Sequence, residues 1–300
     1  MNPGLTIVCR PARFSDQGEV LELTRTVWGG QDYIPRVWAE WLADPLGLLL
    51  VAEAGGQAVG LGKLTDLGWG EWWLEGLRVA PAWQGQGVAS HIHEYLMEAW
   101  ERRGGGIVRL ATSSERLQVH HLCARLGFFQ VADLVKLSWF EASPGPFPSR
   151  PAGASERVPE GFAPLGAMDL PQAIVWASER TDFSGAAGLI TRDWRWAQAV
   201  PDRLMEWVRA GRLWRWQDRG LLALHEEDED GIPFFAVSLL VSEDSCRADL
   251  LGDACRLASS LGARGLTWRA PNRPRELGQA QEAGLQRSGD LSLFLFEART

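Results

Sequence analysis

A strand-like run, EGLRVAP (Glu75–Pro81), is followed after only six residues, AWQGQG, by a helix-like run that extends to Arg103. A strand, a glycine loop and a helix in immediate succession leave few folds open. A helix N-terminus exposes unpaired backbone N–H groups and the positive end of the helix dipole, and it therefore attracts phosphate. Gly85 and Gly87 remove the Cβ atoms that would hold a ligand off the backbone, and Gln84 adds a side-chain donor. The loop has neither the GK[ST] of a P-loop nor the GxGxxG of a dinucleotide fold. A plain turn, or a cradle for the pyrophosphate of another cofactor, remains.

The elements around this unit alternate. Strands are predicted at Thr6–Arg10, Leu48–Ala54, Ala58–Leu67, Trp72–Val79 and Ile107–Ala111. Helices are predicted at Asp16–Trp28, Pro35–Leu42, Gly87–Arg103 and Glu115–Leu126, with a hairpin turn at Gly55–Gly56. The segment Ser143–Gly161 is rich in Pro, Gly and Ser and has little to bury, so it reads as a linker over 143–160. The halves on either side end alike. RLGFFQVADLVKLSWFEA (Arg125–Ala142) and EAGLQRSGDLSLFLFEA (Glu282–Ala298) share a glycine after a helix, Asp-Leu, alternating apolar residues and Phe-Glu-Ala. They also begin alike, at Ala12/Asp16 and Ala167/Asp169. The sequence thus predicts a duplicated α+β domain with a mixed sheet, residues 1–142 and 161–300.

LRVAPAWQGQGVAS resembles the acetyl-coenzyme A motif of the GNAT (GCN5-related N-acetyltransferase) superfamily, L-x-V-x-P-x-x-[RQ]-G-x-G-[IVL]-[GA]-[ST]. LCARLGF (Leu122–Phe128) is similar to the family's second motif, L-Y-x-x-x-G-F. The resemblance implies tandem GNAT-like domains and acetyl-CoA as cosubstrate. It places cofactor contacts at Leu77, Arg78, Val79, Gln84, Gly85, Gln86, Gly87, Val88, Ala89 and Ser90. Backbone N–H groups from Gly85 to Ala89 would hold the pyrophosphate, the Leu77–Val79 edge would pair with the pantetheine arm, and the Val79 amide would polarise the thioester carbonyl. DYIP before a Trp-rich helix, together with EGLRVAP, is similar to the subgroup containing histidine N-acetyltransferases. That narrower likeness implies a free amino acid as acceptor.

Transfer to an amine needs a base and then an acid. Strict alternation along the central strand puts Glu75, Leu77 and Val79 on one face, which makes Glu75 the base candidate, with Glu71 farther along the same face. The tyrosine of the family's second motif is replaced by Cys123. The acid is then Cys123, Tyr33 or water, and buried packing is the usual fate of a helix cysteine. Trp28, Asp32 and Tyr33 fall in the loop before the second helix and could form an aromatic slot with one carboxylate, whereas Trp38, Trp41 and Leu42 read as core.

In the second half, VSEDSCRADLLG (Val241–Gly252) stands where the glycine loop should be, with Glu243, Asp244 and Asp249 in place of glycines. That half reads as a copy without a pyrophosphate loop, able to pack on the first or to wall its acceptor cleft. HEEDED (His225–Asp230) reads as a solvated hairpin turn. The net charge of −8 argues against nucleic acid as partner, no apolar run reaches membrane-spanning length, and the N-terminus lacks a signal-peptide pattern. Four cysteines without a CxxC pair, together with HxH at His91–His93 and HH at His120–His121, predict no metal site and free thiols in a reducing cytoplasm. The expectation is a cytoplasmic monomer or homodimer that transfers acetyl from acetyl-CoA to a small-molecule primary amine. A coenzyme A-binding regulatory or pseudoenzyme module, and a protein or peptide N-acetyltransferase, remain as alternatives.

Overall fold

The computed structural model describes residues 6–141, 159–180, 183, 186–229 and 232–300. Most of the predicted linker therefore lies outside the described residues. Two compact units emerge, each discontinuous in sequence. The first comprises Met1–Thr112, Arg116–Gln130 and Phe296–Thr300; the second comprises Ser113–Glu115 and Val131–Leu295. The strand predicted to close the first half thus contributes its main part, from Val131, to the second unit. The last five residues of the chain are grouped with the first.

In the first unit, β1 (Ile7–Pro11), α1 (Gln17–Thr24), α2 (Ile34–Ala43), β2 (Leu48–Ala54), β3 (Gln57–Gly68), β4 (Glu71–Val79), α3 (Val88–Arg102), β5 (Ile107–Ser113) and α4 (Leu117–Arg125) follow in order. Strands β1 to β4 form an antiparallel meander, and β4 runs parallel to β5 across the α3 crossover. Helix α2 forms because Ile34, Trp38 and Trp41 recur at helical spacing and bury one stripe. Pro35 occupies its first turn, where no N–H is needed, and Asp32 Oδ1 accepts a hydrogen bond from the Ile34 amide at 3.2 Å. That stripe packs on Val51 and Leu61 of the sheet with Val20 and Leu23 of α1. Burial of each such side chain stabilises by roughly 1.5–3 kcal/mol. Helix α3 buries Val88, Ile92, Leu96 and Trp100, and Cβ atoms built on Gly60 and Gly62 of β3 would lie within 3.0 Å of Ile92. The sheet therefore has an α1/α2 face and an α3 face.

The second unit repeats the plan: β6 (Phe129–Phe140), β7 (Phe162–Pro164), α5 (Leu170–Ser178), β8 (Leu189–Arg192), β9 (Arg195–Gln198), α6 (Pro201–Arg209), β10 (Leu213–Trp216), β11 (Gly220–Glu229), β12 (Ile232–Ser242), α7 (Arg247–Ser260), β13 (Gly265–Pro271), α8 (Pro274–Glu282) and β14 (Gln286–Arg299). Here β12 is parallel to β13 across α7, as β4 is to β5 across α3. The single strand predicted over Leu213–His225 is a hairpin, β10 and β11, and the β8–β9 hairpin was not foreseen. HEEDED is strand as far as Glu229, with His225 Nδ1 2.6 Å from Ser238 Oγ and Arg269 donating to Glu227; Asp230 lies outside the described residues.

The Phe-Glu-Ala endings have parallel tasks. Glu297 accepts from Arg109 Nε of β5 at 2.6 Å, and Glu141 accepts from Arg264, just before β13, at 3.3 Å. Arg109 also pairs with Glu71, and all three side chains are buried. Arg109→Met would remove this cation from buried Glu71 and leave Glu297 with Arg299 alone, which costs about 3–5 kcal/mol. A denaturant midpoint as high as wild type would contradict this.

Candidate active site

The central strand departs from plain alternation. Leu61 pairs with Arg78 and Lys63 with Glu75, so β4 carries one residue more than β3 between these pairs. The bulge falls at Gly76, whose φ is +69°. A Cβ there would sit 2.6 Å from the Trp41 ring. One extra residue reverses the faces beyond it. Glu75 and Arg78 share the α1/α2 face with Lys63 and Leu61, whereas Val79 pairs with Gly60 on the α3 face. Leu77 also approaches that face. The expectation that Glu75, Leu77 and Val79 share one face is therefore corrected: Glu75 points toward α1 and α2, Leu77 and Val79 toward α3. Gly76→Ala should cost about 2–4 kcal/mol, from left-handed backbone and overpacking against Trp41. An unchanged urea midpoint would show that the bulge tolerates a Cβ.

Pairing between β4 and β5 stops at Trp73↔Arg109, although both strands continue. From Leu74 to Val79 the β4 edge has no β5 partner, and a gap opens between parallel strands. The Ala80 N–H donates to the Val59 carbonyl on β3 at 2.9 Å. Successive amides alternate in direction, so the Val79 N–H faces the gap.

The gap leads to the loop. Gly85 and Gly87 have φ of +75° and +85°, and Gly87 caps α3 in the left-handed conformation. Cβ atoms added at these glycines would meet nothing closer than 3.7 Å, so the surrounding space is open. The first turn of α3 has no acidic residue, and the N–H groups of Val88, Ala89 and Ser90 have no intrahelical acceptor. His91, the first residue to donate into the helix, bonds its N–H to the Gly87 carbonyl at 3.1 Å. Its Nδ1 lies 2.9 Å from the same oxygen, so the imidazole stands beside the loop, a neighbour that i,i+4 spacing from Gly87 could have signalled. Gln84 donates to the Val79 carbonyl at 3.3 Å and Gln86 to that of Ala82 at 2.7 Å. Both fix the loop rather than reach outward. An exposed loop whose two glycines are left-handed and lack a β-carbon, set before a helix N-terminus, fits a pyrophosphate.

On the α1/α2 face, Glu75 Oε1 accepts from Thr65 Oγ1 at 2.6 Å. Arg78 makes a two-point ion pair with Asp32, at 2.9 and 3.1 Å, and its guanidinium lies 5.6 Å from the Tyr33 ring centroid. Tyr33 meets Trp41 edge to face at 5.8 Å. The structure thus brings Tyr33, Asp32 and Arg78 together and puts Glu75 on the same face of β4 beside the bulge, and the side chain of Trp28 is not among the described ones. Arg78, expected at the cofactor, turns its side chain to the Asp32–Tyr33 loop. Glu71 is committed to Arg109 and is fully buried, so it serves the ion network and not the acceptor. Thr65 and Lys63, which pairs with Asp44, line this face without any sequence signal beyond their strand parity.

Cys123 is packed in the core with no exposure. Burial pushes its thiol up to about 12, so it keeps its proton and gives it up less readily than an ordinary thiol. The acid role expected for it does not fit this placement. Cys123→Ser should keep turnover well above the roughly 10²-fold loss that removal of a general acid brings, and Cys123→Tyr should destabilise by overpacking; a collapse of turnover in the serine variant would restore the acid role. His93 is a core residue too, 5.4 Å from Phe128, and burial lowers its pKa to about 4. Its charged form is disfavoured only in the folded state. The associated stability is complete above the ordinary value of 6.5 and is lost as pH falls from there toward 4. Unfolding free energy should drop by about 3 kcal/mol over that window, and His93→Gln should flatten the profile. Among the described residues no group of three or more His, Cys, Asp or Glu could hold a metal, and no helix is long and apolar enough to cross a membrane.

A strand pair that parts beyond Trp73↔Arg109, a bulge at Gly76 and glycines at the N-terminus of α3 are the features of the first unit's site. Residues 18–128 match the family model described as acetyltransferase (GNAT) family. The first unit belongs to the GNAT family, and the chain has the fold of a tandem GNAT protein. It is 34% identical over 90 residues to the human (Homo sapiens) "Probable N-acetyltransferase 16", which covers 30% of this chain and 24% of that protein. It is 29% identical over 154 residues to a Xenopus tropicalis "Histidine N-acetyltransferase", covering 47% of each. The chain thus spans between a quarter and a half of the curated relatives it matches. A tandem GNAT protein from the clavulanic acid biosynthesis pathway superposes over 99% of this chain and 98% of its own length, with a TM-score of 0.54 at 14% identity.

Proposed function

We propose that this chain is an acetyl-CoA-dependent N-acetyltransferase that acts on the primary amine of a small molecule, by direct transfer in a ternary complex. The observation that carries the reading is that the β4–β5 ladder ends at Trp73↔Arg109 while β4 continues to Val79 and into a left-handed glycine cradle. Acetyl-CoA would supply the activated acetyl group. Gly85 to Ala89 would hold its pyrophosphate through backbone N–H groups, the Leu77–Val79 edge would take the amide-bearing arm, and the Val79 N–H would polarise the carbonyl under attack.

Glu75, which accepts from Thr65, would take the proton of an acceptor ammonium. Tyr33 or water would return a proton to the leaving thiolate. A free amino acid as acceptor is supported by the similarity to proteins named histidine N-acetyltransferase. A cytoplasmic location, and a monomer or homodimer without nucleic-acid partners, belong to the same proposal. A second reading, a coenzyme A-binding module without turnover, is favoured by the burial of Cys123 where the family motif has its tyrosine.

Thiol release from acetyl-CoA with amino acids, polyamines and aminoglycosides separates the two readings. Amine-dependent release is expected. Tight coenzyme A binding with no release from any amine would establish the module instead.

A further inference from the structure

The second unit keeps the splayed strands and has lost the cradle. Pairing of β12 with β13 stops at Ala236↔Thr267, and a bulge falls at Ser238, as it does at Gly76 in the first unit. At the start of α7, Glu243 accepts from Arg219 at 3.0 Å, Asp244 pairs with Arg247 and Arg275, and Gln279 donates to the Asp244 carbonyl at 2.7 Å. The helix N-terminus is tied inward by side chains and carries Asp249 in its first turn, which is hostile to a pyrophosphate.

A cleft nevertheless remains between the splayed strands and the β8–β9 hairpin. Its lining combines an apolar wall (Val237, Leu240, Trp196, Trp268) with charge: the buried guanidiniums of Arg247 and Arg269 and the buried carboxyl of Glu276. Thr191 of β8 lines the same cleft and is 6% exposed, and its hydroxyl has no hydrogen-bond partner. A buried hydroxyl without a partner is costly unless a ligand or water completes it.

We propose that this cleft is a second small-molecule site, distinct from the acetyl-transfer site, and that it takes a free α-amino acid with an apolar side chain. Arg247, already held by Asp244, and Arg269, already held by Glu227, line the cleft opposite Glu276; guanidinium on one side and a carboxyl on the other suit a zwitterion whose carboxylate meets guanidinium and whose ammonium meets Glu276. The tryptophans and aliphatic residues suit its side chain, and the Thr191 hydroxyl gains the partner it lacks. The site stands whether or not the first unit transfers acetyl.

The test is calorimetric titration of the intact chain with L-leucine and L-tryptophan. 4-Methylpentanoate, which lacks the ammonium, 3-methylbutylamine, which lacks the carboxylate, and inorganic phosphate are titrated in parallel. Besides any acceptor site in the first unit, a saturable amino-acid site is expected that is weakened about tenfold or more by Thr191→Val or Glu276→Gln and undisturbed by Tyr33→Phe. Each truncated probe should bind more weakly than the amino acid. The hydroxyl-free Thr191→Val chain should also melt at least as high as wild type without ligand, which keeps the result independent of misfolding. Absence of binding, phosphate binding as tightly as the amino acids, or binding that survives both second-unit variants but is lost in Tyr33→Phe would overturn the proposal.

Discussion

Replacing Gly87 with glutamate is expected to weaken coenzyme A binding by roughly 5- to 1000-fold while the chain still folds. The change costs about 1–2 kcal/mol of stability because a side chain is forced into φ +85°. That is tolerable for a domain of ordinary stability. The effect on binding has a different origin. A carboxylate would stand at the mouth of α3, where the proposed function puts the pyrophosphate. Repulsion between unit charges about 4 Å apart is worth roughly 1–4 kcal/mol between fully aqueous and surface conditions. The helix dipole contributes only about 0.3–1 kcal/mol per charge at exposed sites, so one added negative charge outweighs it. Gly87→Ala is the control, since a Cβ at this position meets nothing closer than His91 at 3.7 Å. It should share the stability loss and keep most of the affinity. Equal affinity in the glutamate variant and wild type, by calorimetry, would remove the cofactor from this loop.

Glu75→Gln should lower turnover by about 10²–10⁴-fold, the usual contribution of a general base, with coenzyme A affinity unchanged. The glutamine carbonyl can still accept from Thr65, so the local fold is kept and only the proton acceptor is lost. Glu71 cannot substitute, because Arg109 holds it below the sheet surface. Steady-state kinetics with saturating acetyl-CoA reads the effect as a fall in kcat. Wild-type turnover in the glutamine variant would place the base on another group.

The duplicated strand–helix–strand units were legible because their signals are local: alternating apolar runs, glycines at turns, and the repeated Phe-Glu-Ala endings. The glycine loop before α3 was legible for the same reason, since its glycines and helix lie within a dozen residues. The bulge at Gly76 was not. A single glycine inside a strand has several readings, and the reason this one is glycine is the ring of Trp41, which comes from a separate helix. Missing it put Glu75 on the wrong face, although the residue itself stayed a candidate. The Arg78–Asp32 pair joins residues 46 apart, and Arg109–Glu297 joins residues 188 apart. Nothing in either neighbourhood announces the partner. Cys123 shows the limit of motif reasoning: its position in the motif suggested chemistry, and its packing in α4 shows a core thiol.

The central claim is that one acetyl-CoA site per chain is formed by the first unit, although the fold occurs twice. The second unit has splayed strands but places Glu243, Asp244 and Asp249 where phosphates would lie. Titration of the intact chain with coenzyme A measures this directly by calorimetry. The account predicts one site per chain, weakened by Gly87→Glu. Two equivalent sites, or a single site with wild-type affinity in Gly87→Glu, would contradict it.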